Sequence, residues 1–191
     1  MAPYLHRDNL YPSIVAFELD DTIWNGRLDA QYFGRNWKPI EECLEWTNGI
    51  VRDKSNHGNV LSLCDELGDI IGDLETHNVE IAIVSSNTNK ALCDRALYLF
   101  KARHPASGEW TPIIYFVKYD EVYPASKVEH FKRLRNYSGF DFSDMILFDC
   151  DSSSRVVENE LGVTFKAVQS EGLKWNTYME ALNAWRRKLP G

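Results

Sequence analysis

The residues able to do chemistry gather in four short stretches. Glu18, Asp20, Asp21 and Thr22 form the first, and Ser85-Ser86-Asn87-Thr88 the second. Tyr119, Asp120 and Ser126-Lys127 form the third, and Asp149-Cys150-Asp151 the fourth. Carboxylates, hydroxyls and one lysine, brought together, would hold a hard cation and a phosphate. Magnesium takes oxygen ligands, commonly one or two carboxylates completed by water and substrate phosphate. Alone, each stretch has a plainer use. Asp-Asp-Thr is a turn and helix cap, Asn87 or Thr88 suits an N-cap, and Asp149 could be a cap as well. Lys127 alone is a solvated side chain.

What sets the four apart is their common position at the end of an apolar run. Ser13–Phe17 reads as a short buried strand, Val79–Val84 as a second and Ile113–Val117 as a third. Met145–Phe148 is a fourth and Gly162–Val168 a weaker fifth. Between them run helical patterns. Val60, Leu61, Leu63, Cys64, Leu67, Ile70, Ile71 and Leu74 recur at helical spacing. Leu92–Phe100 and Val128–Leu134 carry shorter stripes, and Leu173–Trp185 suggests a closing helix. Continuous apolar strands alternating with helices predict a parallel sheet covered on both faces, an α/β fold. In such a sheet the strand ends open into one crevice, so the four stretches converge there. Residues 23–56, rich in Trp, Gly, Asn and charge, break the rhythm and read as a small cap inserted after the first strand. Its aromatic residues (Trp24, Tyr32, Phe33, Trp37 and Trp46) are expected to form a local core rather than a substrate lid.

The chain has 191 residues and a formal charge of −7. That length fits one domain, 1–191, with a core that needs no covalent staples. The acidic balance argues against a broad nucleic-acid or anionic-membrane surface. The basic run from Lys127 to Arg135 has apolar positions at helical spacing and reads as a solvated helix face. Cys43, Cys64, Cys93 and Cys150 match no zinc pattern and are read as reduced thiols. His57, His77, His104 and His130 lack metal-ligand spacing and are expected at the surface or in caps. No apolar run approaches membrane-spanning length, and the N-terminus carries no apolar leader, so the expectation is a cytoplasmic protein.

Phe17-Glu18-Leu19-Asp20-Asp21-Thr22-Ile23-Trp24 resembles the first motif of the haloacid dehalogenase-like superfamily, Asp-x-Asp-x-Thr/Val. The Thr-Ile-Trp ending is similar to its magnesium-dependent phosphatase-1 branch. Val84–Thr88 resembles the second motif, Glu121–Phe131 the segment of the third, and Ser143–Asp149 the approach to the fourth. Leu161–Thr164 also matches.

The resemblance implies a Rossmann-like fold with a small cap and a magnesium-dependent phosphohydrolase acting on a small phosphorylated molecule or a phosphoprotein. It implies Glu18 as nucleophile, Asp20 as acid and base, and Lys127 as the charge-neutralising catalytic residue. Thr22, Ser86, Asn87 and Lys127 would bind phosphate. Glu18, Asp20 and Asp149 would hold Mg2+. No nucleic-acid or membrane partner is implied, and the chain is expected as a monomer or weak dimer.

Three positions depart from the pattern, which puts Asp, Arg and a second Asp where this chain has Glu18, Asn87 and Cys150. Two further readings therefore stand beside the hydrolase. One is a catalytically impaired pseudophosphatase that binds or scaffolds. The other is a non-phosphatase enzyme using Glu18 and Asp20 as acid and base.

Overall fold

The computed structural model describes residues 10–189, so most of the N-terminal stretch read for a leader lies outside it. The first strand, β1 (Ile14–Phe17), is buried along its whole length. Its side chains alternate between two apolar layers. Val15 and Phe17 enter one, and Ile14 and Ala16 the other. Such two-sided burial is what an uninterrupted apolar run in a parallel sheet requires.

A cap follows at once, with β2 (Trp24–Asn25), β3 (Leu44–Thr47), β4 (Ile50–Asp53) and β5 (Val60–Leu63). These pair antiparallel in the order β2-β5-β4-β3. The cap therefore extends past Asn56 to Leu63. Val60–Leu63, expected at the head of a helix, is instead the strand that closes this sheet. Leu61 fills the cap interior while Val60 faces solvent. Helix α1 starts only at Leu67 and runs to Thr76.

The main sheet continues with β6 (Glu80–Ser85), helix α2 (Lys90–Leu99), a hairpin of β7 (Lys101–Arg103) and β8 (Trp110–Pro112), and β9 (Val117–Val122). Helix α3 (Lys127–Ser138), β10 (Met145–Asp149), helix α4 (Val156–Leu161), β11 (Thr164–Ala167) and helix α5 (Trp175–Lys188) complete it.

The third strand is displaced from its expected place. Ile113–Phe116 forms a 3-10 turn that buries Ile113 and Phe116, and the strand is Val117–Val122. The strand lies at the edge of the sheet and is half-solvated, so its polar residues hid it. Tyr119 and Asp120 consequently lie within the strand and not in the crevice. The Tyr119 hydroxyl donates to Glu80 Oε2 at 2.6 Å, and Asp120 pairs with Lys90.

The five strands stack in the order β11-β10-β1-β6-β9, and each neighbouring pair is parallel. Apolar residues of α1, α2 and α5 cover one face, and those of α3 and α4 the other. From β1 the chain winds outward through β6 to β9, then returns to β10 on the opposite side. That reversal places the switch point between β1 and β10, where α/β sheets open a ligand crevice at the strand ends.

The aromatic insertion divides in two. Trp24 and Phe33 are buried in the same apolar cluster as Phe17 and Leu67, so cap and body share one core. Tyr32 and Trp46 are exposed. His130, expected at the surface or in a cap, is fully buried, with Nε2 3.1 Å from the Tyr123 carbonyl.

Candidate active site

The crevice holds a cleft of about 510 Å³. Its lining includes Glu18 and Asp20 from the loop after β1, Ser86 and Asn87 after β6, Lys127 at the start of α3 and Asp149 at the end of β10. These are the residues the sequence singled out, with the exception of Thr22, which is buried beneath the floor.

Lys127 is placed by the start of its helix. The Ser126 hydroxyl accepts from the Glu129 amide at 3.2 Å, and Glu129 Oε2 accepts from the Ser126 amide at 3.3 Å. This reciprocal capping fixes the first turn. The ammonium of Lys127 then reaches inward, pairing with Glu18 and donating to the Val84 carbonyl at 2.6 Å. It also lies 3.6 Å from Asp149 Oδ2. Two carboxylates from strands on either side of the switch point thus converge on one point.

Each carboxylate is held by its own loop. Glu18 Oε1 accepts from the Leu19 amide at 2.8 Å. Asp149 accepts from the Asp151 amide at 2.8 Å and from the Ser154 hydroxyl at 2.6 Å. Asp20 Oδ1 accepts from the Trp24 indole at 2.9 Å and from the Leu28 amide at 3.0 Å. Both bonds fall on one oxygen, leaving the other to exchange a proton.

Burial pushes the carboxyls of Asp20 and Asp149 above their ordinary values. For Asp20 the bonds from Leu28 and Trp24 oppose that rise, and for Asp149 the Lys127 charge does. A carboxyl raised in this way gives up its proton less readily than a free one, which suits Asp20 to proton exchange.

The three departing positions each have a local job. Thr22 Oγ1 accepts from the Cys150 amide at 3.1 Å, tying the first loop to the fourth. The Cys150 thiol points at the Asp20 carbonyl, 3.4 Å away, and burial pushes the thiol's pKa up. Asn87 Nδ2 donates to the Leu28 carbonyl at 2.7 Å, and its Oδ1 accepts from the Asn89 amide at 2.9 Å. Both ends of that amide are therefore engaged, one of them on the cap. The cap of α2 is Asn89, whose Oδ1 accepts from Leu92 at 3.0 Å, and not Asn87 or Thr88. Ser86 is exposed in the cleft, with its hydroxyl donating to the Ala125 carbonyl at 2.9 Å.

The donor set fits magnesium. Among the described residues no three His, Cys, Asp or Glu side chains form a ready cage. Magnesium does not need one. Glu18 and Asp149 offer hard carboxylate oxygens around the point the Lys127 ammonium occupies, and the open cleft leaves space for water and phosphate.

Two residues of the site were missed by sequence reasoning. Arg27 lines the cleft from the cap, and Ser154 donates to Asp149 from within a run of three serines. Neither lies in a stretch whose spacing marks it. Trp24 was read within the first motif, but its indole bond to Asp20 was not foreseen, although a separation of four residues makes such a contact reachable.

The fold and this cleft define a haloacid dehalogenase-like hydrolase. The family model described as Acid Phosphatase matches residues 10–188, and the chain belongs to that family. A HAD-like hydrolase superfamily protein of Schizosaccharomyces pombe is 32% identical over 155 residues, covering 81% of this chain and 84% of that protein. Magnesium-dependent phosphatase 1 of Homo sapiens is 28% identical over 180 residues, covering 94% and 90%.

Solved structures agree on the fold. A phosphatase-domain fragment from Bacteroides fragilis, solved with magnesium, matches at a TM-score of 0.58 and 18% identity over 91% of this chain and 40% of that one. A HAD family enzyme from Bacteroides thetaiotaomicron, solved with magnesium and inorganic phosphate, matches at 0.56 and 15% over 87% and 98%. Magnesium use is thus a property of these relatives. Among the described residues no helix is long and apolar enough to cross a membrane.

Proposed function

We propose that this protein is a magnesium-dependent phosphohydrolase of phosphate monoesters, working through Glu18. One observation carries the reading: Glu18 and Asp149, from separate strands, meet at Lys127 in a cleft that Asp20 and Ser86 also line. Magnesium, held by Glu18 and Asp149, would supply charge to offset the phosphate oxygens.

The side chains then divide the work. Ser86 and Lys127 bind and neutralise the phosphoryl oxygens. A Glu18 oxygen attacks phosphorus, and the bond to the ester oxygen breaks with its electron pair on that oxygen. Asp20 gives the proton that converts the leaving group to an alcohol. Water then attacks the acyl phosphate, Asp20 takes its proton, and the Glu18–phosphorus bond breaks to release phosphate. The longer side chain of Glu18 moves the attacking oxygen by about 1 Å relative to Asp, and misplacement of that size costs ~100-fold in rate. The proposed enzyme is correspondingly slow.

The test uses purified protein, an aryl phosphate and a panel of phosphorylated metabolites, with and without magnesium. Turnover is expected with magnesium, and Asp20→Asn should lower it by ~100-fold or more. Turnover no faster than that of the variant would overturn the proposal. Glu18→Asp with Cys150→Asp should accelerate the reaction at least ~10-fold. A pseudophosphatase would instead show no turnover until both changes are made.

A further inference from the structure

The cleft lining contains five carboxylates, Glu18, Asp20, Asp21, Asp149 and Asp151, against two cations. One of these, Lys127, is 8% exposed, lies against Glu18, the Val84 carbonyl and Asp149, and serves the reacting phosphoryl group in the reading above. The other is Arg27, whose side chain is 78% exposed. Its Nε donates to Asp21 Oδ2 at 2.9 Å. Its two Nη groups have no hydrogen-bond partner among the described residues.

The backbone on either side of Arg27 is held. The Gly26 amide donates to Asp21 Oδ1 at 3.1 Å, and the Asp21 amide to the Gly26 carbonyl at 3.3 Å. On the other side Leu28 donates to Asp20 and accepts from Asn87. Asp21 has φ +52°, an uncommon conformation for a residue with a side chain. That conformation, which Asp adopts more readily than most residues, turns the Asp21 carboxylate onto Gly26 and Arg27. Gly26 has φ +106°, and a Cβ there would lie 2.8 Å from the Val60 carbonyl. Arg27 therefore stands on a backbone fastened to the loop of Asp20, with the outer edge of its guanidinium open.

A planar guanidinium with one N–H anchored and its outer donors open suits a second oxyanion, which it can grip with two parallel hydrogen bonds. The exposed pair with Asp21 adds little stability of its own and does not compete strongly.

We infer that Arg27 is a specificity-determining residue that selects phosphate monoesters bearing a second anionic group, a carboxylate or a further phosphate, on the alcohol portion. The inference rests on the phosphomonoester reading above, and its test needs no turnover.

Three phosphonates that cannot be hydrolysed serve as probes: ethylphosphonate, 3-phosphonopropionate and propane-1,3-bisphosphonate. Their binding is measured by calorimetry with magnesium present, on the full chain and on Arg27→Met and Arg27→Lys. The full chain should bind at least one doubly anionic probe roughly 10–100-fold more tightly than ethylphosphonate. The two such probes separate a carboxylate from a phosphate.

In Arg27→Met that ratio should fall to within about threefold of one, and in Arg27→Lys to an intermediate value, since a point cation keeps the charge without the fork. A thermal melt confirms folding of each variant. The inference is overturned if the full chain shows no preference, or if Arg27→Met keeps the preference. A preference that holds while the turnover assay fails would leave Arg27 as the selector of a binding protein and refute only the hydrolase.

Discussion

At the scale of single residues, the site sets stability against chemistry. Burial raises the carboxyl of Asp20, so its charged form is the one the fold disfavours. A carboxyl raised in the native state contributes stability below its unfolded value, near 3.9, and loses it as pH climbs through the native value. Asp20→Asn removes the buried charge, and its amide oxygen can still accept from Trp24 and Leu28. The variant should therefore melt higher than the parent at pH 7 while losing turnover. The difference should shrink as pH falls and vanish below about pH 4. Equal melting temperatures at pH 7 would show that the Asp20 charge is compensated in a way the structure does not reveal. The cleft residues were largely legible, since most follow a strand and Lys127 opens a helix. Arg27, Trp24 and Ser154 were not, because they reach the site through turns whose geometry a spacing rule does not encode.

At the scale of elements, the loop after β11 shows how closely the pieces meet. Gly172 has φ +77°, and a Cβ there would lie 2.2 Å from the sulfur of Cys64. That approach lets the next residue, Leu173, donate its amide to the Thr22 carbonyl at 2.9 Å, beneath the active-site floor. Gly172→Ala would combine an unfavourable backbone conformation with a clash, costing ~2 kcal/mol or more. For a chain of this length the melting temperature should drop ~4 °C or more. A drop below 1 °C would mean the loop shifts freely.

The elements misread from sequence were each hidden in their own way. Val60–Leu63 satisfied a helical stripe although it pairs with β2 and β4, since four residues cannot separate the two periods. Edge strand β9 was hidden by its polar face, and the apolar run before it was a turn. Helix α4, with six residues and one buried side chain, left no stripe to find. The central strands were plain, because burial on both faces demands unbroken apolar runs.

At the scale of the whole molecule, the C-terminal helix fastens distant parts of the chain. Within α5, the Tyr178 hydroxyl donates to Asp73 Oδ2 on α1 at 2.7 Å. Tyr11 donates to the same carboxylate at 3.1 Å, and the Trp185 indole to the Ser143 carbonyl at 2.9 Å. Burial and the neighbouring Asp73 push the Tyr178 hydroxyl far above its ordinary value, so it stays a donor throughout the working pH range. Tyr178→Phe should cost ~1–2 kcal/mol of stability, read by denaturant titration, since Asp73 loses a donor. Activity at 25 °C should be retained, because Asp73, which Tyr11 also reaches, lies on the helix that leads into the start of β6 and does not line the cleft. Loss of activity without loss of stability would reveal a coupling between this helix and the site.

The bond from Asn87 to the Leu28 carbonyl has a kinetic meaning as well. It joins the cap to the loop after β6, while Leu28 also grips Asp20 from the other side. These two bonds tie the root of the cap to the loops after β1 and β6. With the cap so tied, ligands would enter and leave by diffusion into an open trench rather than through a gate. Bulk water has the same access as any alcohol, so the trapped phosphoryl group would pass to water by sheer abundance.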